Sequence, residues 1–291
     1  MIYGTDNGKS KGMIKEYENY QDTSKSYDTT RIPIGVEILL GCFATTPRPL
    51  PEQVILDGGC GTGNYIQALK SKVNSLWGLE FNGGMLAQAT EKFRNHPNIH
   101  LDQGSLLDLP YENETFDGIM CNQVLHHLGS EDAAQENFPE LNQVFEQAYR
   151  VLRPQGVFVC NTSSHPQVHD GFWWADLIPD AVSRIAKRMP PIACITEKLD
   201  QAGFCFGGIV VPIHAVMQGD NYLDPEGPLK QTYRNGDSTW SLVRQAELEQ
   251  ALERVRNMNK DGSIVHYLEQ RESLRQKLGQ TTFVYAYKKP S

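Results

Sequence analysis

The chain is 291 residues long, enough for one large domain or two small ones. Hydrophobic residues make up 40% and charged residues 21%, an ordinary globular balance able to fold without staples. The net charge of −8 repels phosphate backbones and anionic bilayers, which disfavours nucleic-acid and membrane partners.

Residues 1–30 are polar, punctuated by Tyr17, Tyr20 and Tyr27, and predict an arm before the first helix. The polar start lacks the apolar stretch of a secretory signal. No apolar run reaches the roughly 18 residues that span a bilayer. The expectation is a cytoplasmic protein. Val36–Phe43 predicts a helix ended by Pro47, Pro49 and Pro51.

Strands and helices then alternate. Strands are predicted at Val54–Leu56, Ser75–Phe81, Ile99–Leu101, Phe116–Asn122 and Gly156–Thr162. Helices are predicted over 65–72, 84–95 and 137–152. This repetition predicts a mostly parallel sheet covered on both faces, a doubly wound α/β fold with right-handed crossovers.

The pattern changes after residue 165. Helices are expected over 173–189 and 195–202, a sixth strand at Ile209–Ile213 and a last strand at Thr281–Lys288. Between those two strands lies a mostly polar, helical stretch, 218–279, with helices over 247–258 and 264–278. It reads as a cap inserted before the last strand of one domain. That domain comprises an N-terminal arm and helix (1–50), a ligand-binding core (51–165), the rest of the sheet (166–217 and 280–291) and the cap (218–279).

The strongest chemical signal is Val54–Tyr65, VILDGGCGTGNY. A buried strand runs through a glycine-rich turn into a helix, whose free N–H groups face the turn. Gly59, Gly61 and Gly63 allow positive φ and close approach of a ligand to the backbone. The spacing is G-x-G-x-G, whereas the dinucleotide fingerprint is G-x-G-x-x-G and here Asn64 takes its sixth position. Asp57, just before the glycines, suits an ammonium better than a pyrophosphate. Glu80 closes the second strand, where an acid accepts both hydroxyls of a ribose.

These residues resemble the class I S-adenosylmethionine-dependent methyltransferases, within them the ubiquinone/menaquinone-type small-molecule branch. The resemblance rests on ILDGGCGTG (55–63), WGLEFNGGML (77–86), DLPYENETFDGIMCNQVLHHL (108–128) and EQAYRVLRPQGVFV (146–159). The N-terminal YDTTR (27–31) is also similar to this branch. It implies a Rossmann-like, seven-stranded sheet and an enzyme that uses S-adenosyl-L-methionine as cofactor. It implies cofactor contacts from Asp57, Gly58, Gly59, Cys60, Gly61 and Gly63 in the loop and from Glu80 on the ribose. Phe81 would flank the adenine, and Gly104, Ser105 and Leu106 would lie at its edge. Asn122 and Gln123 would face the methionine end. Tyr27 and Arg31 match a segment that folds over the cofactor. At Ser105 the family often has an acid, so the role of that position is less defined here.

Methyl transfer needs alignment and water exclusion, and a base only if the acceptor arrives protonated. His126 and His127 follow the fourth strand, at the sheet edge where such folds bind ligands, and are the candidate bases. No acid stands in Asn161-Thr162-Ser163 to support either one. His165 and His169 are expected on a substrate-contact loop, because Pro166 argues against helix. Trp173 and Trp174 are candidates for a pocket wall or for core packing, and Tyr233 and Arg234 for contacts from the cap, where Asp237 or Ser238 either caps the helix that follows or contacts substrate. The six cysteines form no C-x-x-C pair, so no metal site is expected. Cys121 and Cys160 read as buried free thiols, in keeping with a reducing compartment. The expected function is methyl transfer to a small-molecule acceptor. A non-catalytic S-adenosylmethionine-binding partner, or an enzyme acting on a protein, stays open on the sequence.

Overall fold

The structure, a computed structural model, describes residues 32–128 and 138–290. The expectations for the arm, for Tyr27 and Arg31, and for residue 137 lie outside the described residues.

Helix α1 (Val36–Ala44) precedes two strand–helix units and a third strand: β1 (Val54–Gly58), α2 (Asn64–Leu69), β2 (Ser75–Glu80), α3 (Gly83–Phe93) and β3 (Ile99–Gln103). Then come β4 (Phe116–Asn122), α4 (Glu140–Val151) and β5 (Leu152–Thr162). The second half runs α5 (His165–Asp170), α6 (Pro179–Arg188), α7 (Ile192–Gln201), β6 (Cys205–Val210), α8 (Gln231–Arg234), α9 (Gln245–Asp261), α10 (Ile264–Leu278) and β7 (Thr282–Tyr287). The strands form one seven-stranded sheet in the order β3-β2-β1-β4-β5-β7-β6. Neighbours from β3 to β5 are parallel, and β7 is antiparallel to both β5 and β6. This is the doubly wound α/β fold that the alternation predicts.

Residues in β1, β4 and β5 are buried almost throughout, because helices cover both faces. One face packs Leu56, Ile119 and Phe158 against α4 and α7, through Phe145 and Leu199. The other packs Ile55, Met120 and Val159 against α1, α2 and α3, through Phe43, Ile66 and Phe93. The glycine at 118 is required there, since a Cβ on it would lie 2.7 Å from the Phe43 ring.

Three elements differ from expectation. β6 starts at Cys205 and ends at Val210, earlier than Ile209–Ile213. It carries Gly207-Gly208, over which the Tyr285 ring lies so closely that a Cβ on Gly207 would be 2.4 Å from it. Two glycines and a bulge at Phe206/Gly208 hide the strand's apolar signature. The helix expected over 173–189 is split into a 3-10 turn at Ala175–Leu177 and α6. Pro179 causes the break: it has no N–H to donate and occupies the first turn of the new helix, where none is needed. His165–Asp170 is helix α5, not loop. Pro166 again lies in a first turn, and Ser164 and Gln167 form a reciprocal capping box.

A third hydrophobic cluster lies outside the sheet. It joins Trp240, Ala251, Val255 and Ile264 of the inserted stretch to Val168, Trp173, Trp174 and Ile185. The cap therefore packs as one body with residues 168–189, upstream of the boundary at 218. Glu247 on α9 pins it. Its Oε1 accepts from the Asp180 and Ala181 N–H groups at 2.8 and 3.0 Å, capping α6, and its Oε2 accepts from Arg184 at 2.9 Å. The pair is mostly buried, with side chains 17% and 11% exposed. Glu247→Ala removes both the cap and the charge-assisted bond, and should destabilise the protein by about 2 kcal/mol. Urea unfolding of wild type and variant measures it.

Candidate functional site

The C-terminal ends of β1, β2, β4 and β5 open onto one side of the sheet. Gly59, Gly61 and Gly63 take φ of 78°, 55° and 82° in the turn after β1. A Cβ on Gly59 would meet Val124 Cγ2 at 2.5 Å, so both conformation and space require glycine there. Gly58 is needed for contact with Leu106, whose Cδ2 would lie 2.7 Å from an added Cβ. The Gly59 and Cys60 N–H groups donate to Leu79 O at 2.8 and 3.0 Å, which folds the turn back over β2.

Glu80 completes the turn. Its Oε2 accepts from the Gly61 N–H at 2.8 Å and its Oε1 from the Asn82 N–H at 2.8 Å. Asn82 in turn caps α3 through Gly84 and Met85. Phe81 projects next to it, 49% exposed. Ser105, after β3, accepts from the Leu107 N–H at 3.2 Å and faces Asp108. The sheet thus brings Asp57, Glu80, Phe81 and Ser105 to successive strand ends.

Asp57 is only 1% exposed. Burial, then the charge of Glu80, pushes its carboxyl up to about 8, against the pull of the Asn122 amide. Asp57 Oδ2 and both polar atoms of the Asn122 side chain have no hydrogen-bond partner among the described residues. Burial also holds the Cys60 thiol well above its ordinary value, so it stays protonated.

Asp57, Gly59, Cys60, Gly61, Asn122 and Gln123 line a cleft. Residues that the sequence reading did not single out complete it: Ile32–Ile34 before α1, Thr62, Asn64 and Tyr65 after the turn, and Met217 and Gly236 from the cap side. A second, smaller chamber adjoins it. Its apolar wall is Val168, Phe172, Ile185, Met189 and Met217, and its polar wall is Gln123, His126, Ser163, Asp237, Ser238 and Thr239. Gln123 and Met217 border both spaces.

His126 sits in a 3-10 turn at Leu125–His127, buried, with its ring 4.2 Å from that of His127. Only His126 of the pair reaches the chamber. His165 and His169 are exposed on α5 and line neither space; His165 Nε2 bonds the Met189 carbonyl at 2.9 Å. Trp173 and Trp174 are buried in the cap cluster. Trp173 Nε1 donates to Tyr222 O and to Tyr233 Oη, and Trp174 Nε1 to Gln218 at 2.9 Å. Tyr233 is buried beside them, and Arg234 donates to Pro228 O at 2.6 Å. The cap reaches the chamber instead through Asp237–Thr239, where Asp237 caps the 3-10 turn Ser238–Leu242. Among the described residues no cluster of three or more His, Cys, Asp or Glu side chains could hold a metal. None of the described helices is long and apolar enough to cross a membrane.

A Rossmann-like sheet with this turn, an acid on β2 and two adjoining cavities is the architecture of the class I methyltransferases. Comparison with known proteins agrees. Residues 56–160 match the family model described as a methyltransferase domain. The demethylmenaquinone methyltransferase of Shouchella clausii is 30% identical over 160 residues, which are 52% of this chain and 64% of that protein. That of Lysinibacillus sphaericus is 27% identical over 158 residues, 52% of this chain and 63% of that protein. The chain thus spans somewhat less than two thirds of the curated relatives it matches. A crystal structure of a putative methyltransferase from an antibiotic biosynthesis pathway of Anabaena variabilis superposes with a TM-score of 0.71. It is 22% identical, and the match covers 88% of this chain and 98% of that one. The [4+2]-cyclase SpnF shares the fold at a TM-score of 0.54 and 13% identity, over 94% of each chain. Residues 56–160 are thus similar to a methyltransferase domain, the whole chain has the fold of a solved methyltransferase structure, and the matched sequence relatives are demethylmenaquinone methyltransferases.

The Asp57 carboxyl has a testable signature. Folded, it keeps its proton up to about pH 8; unfolded, it loses it around the ordinary value of 3.8. Between those values the folded chain binds more protons, so its stability falls as pH rises through that window. Asp57→Asn stays neutral throughout. Urea unfolding at about pH 5 and about pH 8 should show the variant losing less stability than wild type over that interval.

Proposed function

We propose that this chain transfers a methyl group from S-adenosylmethionine, held in the cleft, to a small-molecule acceptor held in the chamber. The observation that carries this is the meeting of two cavities at Gln123 and Met217. A donor in one and an acceptor in the other are thereby brought into line across a shared boundary.

The residues of the cleft fit the donor. The unpartnered Asp57 Oδ2 and Asn122 amide suit an ammonium and its neighbouring polar atoms. Glu80, its carboxylate oriented by Gly61 and Asn82, suits a pair of ribose hydroxyls. Phe81 would cover the adenine, and the open face at Gly61, where an added Cβ would meet nothing within 4 Å, leaves the backbone approachable. Held by these residues, the group would supply an electrophilic methyl to a lone pair of the acceptor.

The remaining work is done by the protein. The cap and α5–α6 exclude water from the chamber. Five apolar side chains hold the body of the acceptor. His126 takes the proton of an acceptor that arrives protonated, and it does so without a carboxylate helper after β5. Among the described residues no lysine or arginine lines the chamber, which supports an acceptor without phosphate or carboxylate groups. The names of the sequence relatives support a compact ring-bearing acceptor of the quinone type.

Titration calorimetry of the protein with S-adenosylmethionine tests the donor site. Asp57→Ala and Glu80→Ala are each expected to weaken binding at least about tenfold, the effect of one lost charge-assisted contact. An ammonium bound at Asp57 should also displace its proton below about pH 8, so affinity rises with pH up to that value. Heats that differ between buffers of different ionisation enthalpy report the released proton, and Asp57→Asn abolishes the difference. Unchanged affinity in both alanine variants would remove the donor from this cleft.

A further inference from the structure

Gln123 is not glycine, yet it takes a φ of 53°, in the left-handed region. Such strain persists only where the surroundings impose it. Here three bonds impose it. The Gln123 N–H donates to Asn161 O at 2.8 Å. Its side-chain Nε2 donates to Asn161 Oδ1 at 3.1 Å and to Thr281 Oγ1 at 3.0 Å. The end of β4 is thereby locked to the ends of β5 and β7.

The orientation of this amide follows from its neighbours. Thr281 Oγ1 has one proton, and the carbonyls of Thr162 and Asn161 compete for it; the first lies 2.8 Å away. Tyr65 Oη donates to Ile34 O at 3.1 Å and receives the Asn161 Nδ2 group at 3.4 Å. Neither hydroxyl has a proton left for Gln123, so both present lone pairs to the amides. Asn161 must then turn its nitrogen to Tyr65 and its oxygen to Gln123. Gln123 must turn its nitrogen to Asn161 and Thr281, where both N–H groups are used. Its Oε1 is the one polar side-chain atom left for a ligand.

That atom belongs to one of the two residues bordering both cavities. The other, Met217, is held by its N–H, which donates to Gln280 Oε1 at 2.7 Å, and it offers only a thioether. Resting on the donor and acceptor reading above, we propose that Gln123 is a positioning and specificity residue for the acceptor. Its Oε1 accepts a hydrogen bond from a hydroxyl or amine carried beside the methylated atom. The acceptor is therefore of a class that bears such a donor on an apolar ring, and Thr281 and Asn161 act behind Gln123 by fixing its amide. A strained, doubly clamped amide costs no reorganisation when the ligand arrives, which is what an in-line transfer requires.

Binding tests this without the natural acceptor. The protein is first titrated with S-adenosylhomocysteine, then, saturated with it, with 2-naphthol and separately with its methyl ether, 2-methoxynaphthalene. The rings are identical, and only the naphthol donates a hydrogen bond. Wild type should prefer the naphthol by about tenfold, the effect of one hydrogen bond. Gln123→Met, which keeps the length of the side chain and loses the oxygen, should bring the ratio close to one when the variant is likewise saturated with S-adenosylhomocysteine, at a concentration set by its own titration. Thr281→Val, whose side chain lines neither cavity, should lower the ratio without affecting the ether. The proposal is overturned if wild type shows no preference, if neither ring binds, or if the preference survives in Gln123→Met, which would assign it to another wall residue. Failure of wild type to bind S-adenosylhomocysteine is seen in the first titration and counts against the donor site itself.

Discussion

The site depends on a carboxyl group that the fold buries without a full set of partners. Taking an ionised carboxylate out of water costs several kcal/mol, and the protein meets that cost by keeping Asp57 protonated up to about pH 8. Two features make the arrangement tolerable. β1 ends at Gly58, so Asp57 is at the rim of the sheet, not in its interior. And the turn beyond it is built of glycines whose backbone bends back to Leu79, leaving the space in front of the carboxyl to the cleft. On the proposed reading, a cation entering that space would complete the missing contacts, and filling the site would recover stability given up in the free protein.

The second constraint is the polar seam where β4, β5 and β7 end. Asn161, Thr162, Thr281 and Thr282 are all buried, and Gln167 at the start of α5 accepts from Thr282 Oγ1 at 2.9 Å while donating to Thr281 O at 3.0 Å. A buried network of this kind is favourable only when its members find partners, and it then fixes a single arrangement. Because β7 runs antiparallel between β5 and β6, its first residues lie beside the last residues of β5. The seam therefore joins the chain's final strand to the active edge. It also reaches the cap: Ser163 Oγ donates to Gln280 O at 2.8 Å, and Gln280 holds Met217. The floor of the chamber and its roof hang from the same strand ends.

Much of this was legible in the residues. Strands buried on both faces give continuous apolar runs, so β1, β2, β4 and β5 were recognisable, and the turn after β1 could be assigned because G-x-G-x-G with a preceding Asp is a local pattern. The chamber was not legible, because its wall comes from the turn after β4, the residue after β5, α5, α6, the segment after β6 and the cap, and no local pattern joins them. Trp173, Trp174 and Tyr233 illustrate the difficulty. An aromatic cluster in sequence looks the same whether it faces a ligand or a core. Only the structure shows that the Trp173 indole is satisfied by Tyr222 and Tyr233 inside the cap. For His165 the misleading signal was Pro166, which forbids a helix interior but is at home in a first turn. Gln123 was singled out only through the resemblance, and its left-handed backbone offered no signal: its strain comes from partners 38 and 158 residues away.

The sheet, the glycine turn and the strand-end acids are shared across the fold, and they specify a donor site without specifying a reaction. SpnF has the same architecture and is described as a [4+2]-cyclase. What distinguishes one member from another must lie where the second cavity meets the first. In this chain that junction is formed by Gln123, clamped to the strand ends, and by Met217, on the segment that leads towards the cap and held through its N–H by Gln280. Gln123 cannot move without breaking the seam between β4, β5 and β7, whereas Met217 sits on the segment that leads from β6 into the cap. On the proposed reading, variation in acceptor size would be accommodated at Met217 and the cap, with the direction of approach fixed at Gln123. A rigid side facing a replaceable side lets a fold keep one geometry of transfer and exchange its substrates.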